Sequence, residues 1–380
     1  MLLVRVLTAA AKPALVAGAL SAVAVGGFFA IDRFNSSPAT PFAAVQQGGH
    51  RLLISEFGNT SDHIVAVNPD HTQQRTTIAT IDHATGYGVF PVLAPDGKAI
   101  AYTALPANVA NPAPDTPALV AVVDTQGHAQ TLATDVDLLV PPVWAPDSRA
   151  VVVRKNTPEP NAAGTFQLLL LGRDGSRTTI TTWSTAALFP IAFSPDGSKL
   201  YFATLNSAGS DLYSVAPDGS AETKLAHLSD DVSRDWKLSP DGTTLAYSVA
   251  QGGPKPAIVT RTLNLASGAV ADAVAASGPR EELNPVWRGG ELTIASVNPH
   301  GGGDAVAVGG AGQTQSITSH AASIDLPLAW SPDGSKLAVR SVQGASPADA
   351  GASHIELVDR TGGRERVSSQ ADVLIVGWLP

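Results

Sequence analysis

Trp330-Ser331-Pro332-Asp333-Gly334-Ser335-Lys336-Leu337-Ala338-Val339 packs an aromatic residue, a tight turn and a short apolar strand into ten residues. The same phrase opens at Leu93-Ala94-Pro95-Asp96-Gly97, Trp144-Ala145-Pro146-Asp147-Ser148, Phe193-Ser194-Pro195-Asp196-Gly197 and Leu238-Ser239-Pro240-Asp241-Gly242. A degenerate copy stands at Trp287-Arg288-Gly289-Gly290. Successive copies begin 51, 49, 45, 49 and 43 residues apart. A period in this range marks an array of repeated supersecondary units. Pro presets φ at the second position of the turn, Asp bonds the local backbone, and Gly takes the conformation a side chain resists. Between two β-rich runs such a turn makes a hairpin. A third and a fourth β-rich segment follow within each period, as at 211–215 and 222–228 around Pro217-Asp218-Gly219. Four short antiparallel strands per period describe a propeller blade.

The two ends of the chain complete the pattern. Val373-Leu374-Ile375-Val376-Gly377-Trp378 repeats the first strand of the unit, with Trp378 48 residues after Trp330. Gly48-Gly49-His50-Arg51-Leu52-Leu53-Ile54 reads as the turn and second strand that should come next. One blade shared between the two ends would pair strands otherwise left as open edges. Counting that blade, the sequence predicts an all-β, seven-bladed β-propeller over 48–380, closed by strand 373–378. A six-bladed ring is the alternative.

The phrase at 330–339, with its relative at 193–202, resembles the TolB-type propeller repeat. That repeat also occurs in the propellers of the prolyl oligopeptidase and dipeptidyl-peptidase families. The resemblance covers nearly everything after residue 48 and implies the fold, because the repeated residues are structural. TolB resembles a six-bladed ring with an extra N-terminal domain, whereas seven repeats fit this chain better. The peptidases carry a hydrolase domain with a Gly-x-Ser-x-Gly nucleophile elbow, and no such motif stands in this sequence.

The formal charge is −9, only 15% of residues are charged, and no run of Lys or Arg occurs, which argues against nucleic acid as a partner. The absence of Cys excludes disulfides, thiol nucleophiles, Cys-based zinc sites and an acylated cysteine. Residues 14–31 carry no charge and follow Arg5 and Lys12. As a helix they would span about 27 Å, close to the ~30 Å of a bilayer core. The expected organisation is a cytoplasmic tail (1–13), a transmembrane anchor or signal helix (14–31), a flexible linker (32–47) and the propeller outside the cytoplasm. The uncleaved anchor is favoured over a cleaved signal peptide, which would leave a secreted or periplasmic propeller.

The turn aspartates Asp96, Asp147, Asp196, Asp241 and Asp333 are explained by the turn itself. The recurring aromatics Trp144, Phe193, Trp287, Trp330 and Trp378 read as core between blades. The nine histidines show no zinc-enzyme spacing. Connections from the outer strand of one blade to the first strand of the next should open on one rim. There the register places the candidate binding residues Asp135, Asp137, Asp230, Asp231, Asp235, Glu281, Glu282 and Asp325, with Asp372, against few basic groups (Arg234, Arg280, His83 and His320). Such a rim would suit calcium or a basic partner. No cofactor and no catalytic residue is assigned. The sequence therefore predicts a membrane-tethered module that binds an envelope or extracellular protein, peptide or glycan. The alternative is a lyase or hydrolase acting on a glycan or lactone, with acids at the channel mouth.

Overall fold

The computed structural model describes residue 45 and residues 49–379, apart from 114, 159–163, 252–256, 276–280, 299–301, 310–311, 319–322, 345–350 and 369–372. Each Pro-Asp-Gly-like phrase turns the chain back, and the β-branched and apolar runs beside it become antiparallel strands. The first three are β1 (Arg51–Glu56), β2 (Ser61–Asn68) and β3 (His71–Asp82). One sheet then holds β4 (Phe90–Leu93), β5 (Ala99–Ala104), β6 (Ala118–Asp124) and β7 (Ala129–Val136). The next holds β8 (Val143–Trp144), β9 (Ala150–Thr157), β10 (Thr165–Gly172) and β11 (Arg177–Trp183). It is followed by β12 (Ala187–Phe193), β13 (Leu200–Asn206), β14 (Gly209–Val215) and β15 (Thr223–Ser229). A further sheet comprises β16 (Ser233–Leu238), β17 (Thr244–Gln251), β18 (Ala257–Asn264) and β19 (Val270–Asp272). The chain continues through β20 (Glu281–Arg288), β21 (Glu291–Val297), β22 (Gly303–Val308) and β23 (Thr314–Ser316). It ends with β24 (Ser323–Trp330), β25 (Lys336–Gln343), β26 (Ser353–Asp359), β27 (Arg364–Ser368) and β28 (Val373–Leu379).

The first strands of the sheets line the inside of a ring. β28 packs on β4, β8 on β12, β12 on β16, β16 on β20, β20 on β24, and β24 on β28. Second and third strands are sandwiched between neighbouring sheets, so they read as near-continuous apolar runs; all six residues of β5 are buried. The ring closes where β28 pairs antiparallel with β1, with Leu52 opposite Trp378 and Glu56 opposite Val373. The β-rich outer strands are short and largely solvated, as in β19 and β23.

The expected blade count is corrected. Neither seven separate blades nor six is what the hydrogen bonding gives. Five sheets stand alone as four-stranded blades, and β20 to β27 form one eight-stranded sheet, ordered β20-β21-β22-β24-β25-β26-β27 with β23 on β22. The join is a parallel bridge between Gly303 and Ile324. A Cβ on Gly303 would lie 3.1 Å from Val297 Cα and 3.3 Å from Ile324 Cγ2, so the missing side chain is what lets the two backbones approach. A turn phrase records where the chain reverses; it carries no information on whether adjacent sheets stay apart. The N-terminal helix expected over 14–31 falls outside the described residues, among which no helix is long and apolar enough to cross a membrane. Segments 1–13 and 14–31 lie outside the described residues, as does 32–47 except Val45. Val45 is buried against the cluster of Leu53, Ile78 and Leu379, so at that position the chain packs onto the ring.

Candidate functional site

Antiparallel sheets assign every connection to one of two edges of the ring. Turns from first to second strand and from third to fourth lie on one edge. Links from second to third strand, and from sheet to sheet, lie on the other. The predicted rim belongs to this second edge.

The acids placed there fall into distinct environments. Asp137, in the β7–β8 link, is ion-paired with Arg154 Nε. Asp135 stands in β7 and binds Lys155 at 2.6 Å and Arg177 at 3.0 Å; burial would raise its pKa, but those two cations hold its carboxyl below the ordinary range. Asp325 is fully buried in β24 and paired with Arg364, which also binds Glu356 at 2.8 Å. Glu282 is buried in β20, where its Oε2 accepts the Thr260 N–H at 2.7 Å. Glu281 is half-buried at the start of the same strand. Asp230 and Asp231 are the exposed members: Asp230 touches His227 Nε2 at 3.0 Å, and Asp231 Oδ1 accepts the Val232 N–H at 2.8 Å. Asp372, Arg280 and His320 lie outside the described residues. Among the described residues no group of three or more His, Asp or Glu side chains is placed to hold a metal ion.

Asp235 occupies a different position, inside an inner strand. The register of β16 skips between Arg234 and Lys237, and Asp235 takes φ +56° in that bulge. Neighbouring β20 skips between Leu283 and Val286, with Asn284 at φ +51°. Bulges of this kind re-aim side chains. Desolvation pushes the Asp235 carboxyl up, against the pull of Arg234 and Lys237. Lys237 keeps access to solvent yet is ringed by protein, and that desolvation pushes its ammonium down, against the pull of Asp235.

Around this position the fold builds a ladder that crosses three sheets. The Arg154 guanidinium, held by Asp137 and by the Leu188 carbonyl at 3.2 Å, lies 5.5 Å from the Phe166 ring centroid and 4.7 Å from that of Phe189. Phe189 meets Trp236 at 5.6 Å, and Trp236 Nε1 donates to Ser233 Oγ at 3.0 Å. All four of these large side chains are only half-buried. Leu139, 71% exposed, and Val232, 45% exposed, stand on the links entering β8 and β16, on either side of β12. Flat aromatic surface, a fixed guanidinium and two exposed aliphatic groups suit a peptide or protein surface. The sequence shows each of these residues, but their proximity depends on ring geometry that no spacing encodes.

The remaining sequence candidates are structural. Asp196 Oδ1 accepts from Ser194 Oγ at 2.6 Å and from the Ser198 N–H at 3.1 Å, and these bonds hold its carboxyl at about 2. Trp144 Nε1 donates to the Val92 carbonyl, Trp287 Nε1 to that of Lys237, and Trp330 Nε1 to Thr293 Oγ1, so each pins its repeat to the one before.

No family model matches the chain. Over 151 residues it is 30% identical to the Protein TolB homolog of Chlorobium luteolum, an alignment covering 40% of this chain and 33% of that protein. The chain thus spans about a third of the length of the curated relatives it matches. Prolyl oligopeptidase B from Galerina marginata superposes with a TM-score of 0.60 at 11% identity, over 88% of this chain and 50% of that one. The β-propeller domain of the Trilobed protease from Pyrococcus furiosus gives 0.54 at 13% identity, over 84% and 94%. That domain has an open velcro topology, whereas β28 here closes on β1. The chain is similar to TolB homologues in sequence, and the solved structures share its propeller fold.

Proposed function

We propose that this protein is a TolB-like propeller that works outside the cytoplasm, held at the membrane, and binds a protein or peptide on the edge carrying the Arg154–Phe189–Trp236 ladder. The observation that carries this reading is the pair of exposed aliphatic side chains, Leu139 and Val232, flanking a half-buried aromatic and guanidinium surface. Exposed Asp230 and Asp231 beside Val232 favour a partner segment that combines apolar and basic residues. A binding role is preferred to catalysis because Asp135, Asp137, Glu282 and Asp325 are committed to cations or to a backbone N–H, which leaves them unsuited to proton transfer. The address rests on the uncharged stretch 14–31 and the positive charge before it.

Photo-crosslinking amino acids placed at 139 and 232 in cells should give a discrete adduct with a membrane-fraction or extracytoplasmic protein. The adduct should weaken several-fold when Asp230 and Asp231 become Asn. Val270, comparably exposed at 46% on outer strand β19, is the control position. An adduct of equal yield from 270, or none from 139 and 232, would remove the basis for this face.

A further inference from the structure

On the opposite edge, the first and last strands of the ring enclose a cavity of about 220 Å3. His50 and Arg51 at the head of β1, Asp70 and His71 in the β2–β3 turn, Lys336 of β25 and Trp378 of β28 line it. This volume holds several waters or a compact ionic group and falls short of a pocket for a drug-sized molecule.

The lining departs from the repeat in one respect. Trp144, Trp287 and Trp330 all donate their indole N–H to the preceding repeat. Trp378 holds the same place in β28, pairing with Leu52 as Trp330 pairs with Leu337. Yet its buried Nε1 has no partner among the described residues, and neither has the buried Nδ1 of His50. An indole nitrogen is a donor only, so what it lacks is an acceptor. A buried donor without one is costly.

The acids in the lining do not supply that acceptor. Asp70 Oδ1 binds Lys336 Nζ at 2.9 Å, and that hydrogen bond, with the charge of Lys336 behind it, holds its carboxyl below the ordinary range. Asp333 is turned into its own loop, accepting from Ser331 Oγ at 2.6 Å and from the Ser335 N–H at 3.0 Å. Lys336 also donates to the Pro69 carbonyl. Arg51 gives one N–H to the His50 carbonyl at 3.1 Å, leaving further guanidinium donors beside a cavity that Trp378 and two histidines also line. A planar guanidinium beside convergent N–H donors is the arrangement that recognises carboxylate and phosphate oxygens.

We propose that the closing seam is a binding site for a small oxyanion, the size of a carboxylate or a phosphate group, which accepts from Trp378 Nε1 and Arg51 and stabilises the junction of β1 with β28. A ligand that binds the closed ring alone raises its stability by mass action.

The full chain, with its indole nitrogens labelled, is titrated with sodium phosphate and separately with sodium acetate, at ionic strength held constant with sodium chloride. One indole resonance, identified by its loss in Trp378→Phe, should shift saturably, and the melting temperature should rise alongside. Trp378→Phe should fold, since Phe193 occupies the equivalent place, and should lose the anion-dependent rise. Arg51→Gln should weaken binding about tenfold or more, whereas Trp144→Phe should leave it unchanged. A response to phosphate alone assigns a phosphate group, and one to acetate alone assigns a carboxylate, such as that of a peptide. The proposal is overturned if the Trp378 resonance ignores both anions, or if Trp378→Phe keeps the full rise in melting temperature; water alone would then fill the cavity.

Discussion

His83 is 1% exposed, and the two atoms it meets both accept. Its Nε2 lies 3.0 Å from Asp62 Oδ1 and its Nδ1 2.9 Å from the Ala84 carbonyl, so both ring nitrogens donate and the ring is an imidazolium. Burial pulls its pKa down. The Asp62 hydrogen bond, the Ala84 carbonyl and the charges of Asp62 and Asp82 outweigh that and carry it above the usual value. Asp62 also accepts the N–H groups of Gly58 at 3.2 Å and Val89 at 3.0 Å, so the pair ties β2 to the link that enters β4. With the folded pKa raised above an unfolded value of about 6.5, this stabilisation is whole below that pH and fades as pH rises through the folded pKa. His83→Gln should cost about 3 kcal/mol near pH 6, the range for breaking a buried pair, and progressively less in alkaline buffer. Urea melts of both proteins across that range measure the difference. A cost that does not change with pH would mean that the imidazole is neutral in the folded protein.

The turns act as interlocking elements as well as reversals. Gly197 (φ +72°) sits over Pro146, and a Cβ there would lie 3.7 Å from Pro146 Cδ. Gly242 (φ +73°) is tighter, with its would-be Cβ 2.4 Å from Pro195 Cδ. Gly268 (φ +71°) has nothing within 4 Å of the same point. Gly268→Ala should therefore report backbone strain alone, about 1 kcal/mol. Gly242→Ala should cost about 2 kcal/mol or more, because the rigid Pro195 ring must move as well. Equal costs by denaturant melting would show that the turns do not bear on one another. This repetition is why so much of the fold was legible: a Pro-Asp-Gly turn dictates a hairpin wherever it occurs, and its period dictates a ring of sheets. What stayed hidden depends on contacts across sheets. Arg154 and Phe189 are brought together by how far one sheet leans on the next, and Asp325 meets Arg364 across the strands of a single sheet. The acids of the rim could be counted in the sequence, but the cations that neutralise them arrive from strands with no fixed spacing. Nothing in the sequence around Gly303 likewise marks the bridge its backbone makes to Ile324.

The whole ring depends on a contact between its two ends. β28 supplies β1 with partners from Arg51–Leu379 to Glu56–Val373, and Leu52, Leu53 and Ile54 are completely buried beneath that pairing. Its two faces touch β4 and β24, so only the edge that lines the inside of the ring is left without a strand partner. Removing residues 371–380 would leave β1 as an unpaired edge with its apolar residues uncovered, a surface that recruits strands from other molecules. Stability spread over many similar sheets cannot substitute for this one contact, because a propeller without closure has two free faces to hydrate in place of none. The truncated protein should lose its single cooperative unfolding transition and sediment as aggregates or strand-exchanged oligomers. A synthetic peptide of residues 371–380, supplied during refolding, should restore both the monomer and the transition. Differential scanning calorimetry with sedimentation velocity measures these outcomes. A truncated monomer that melts like the intact protein would show that packing between sheets, and not the pairing of β28 with β1, holds the ring together.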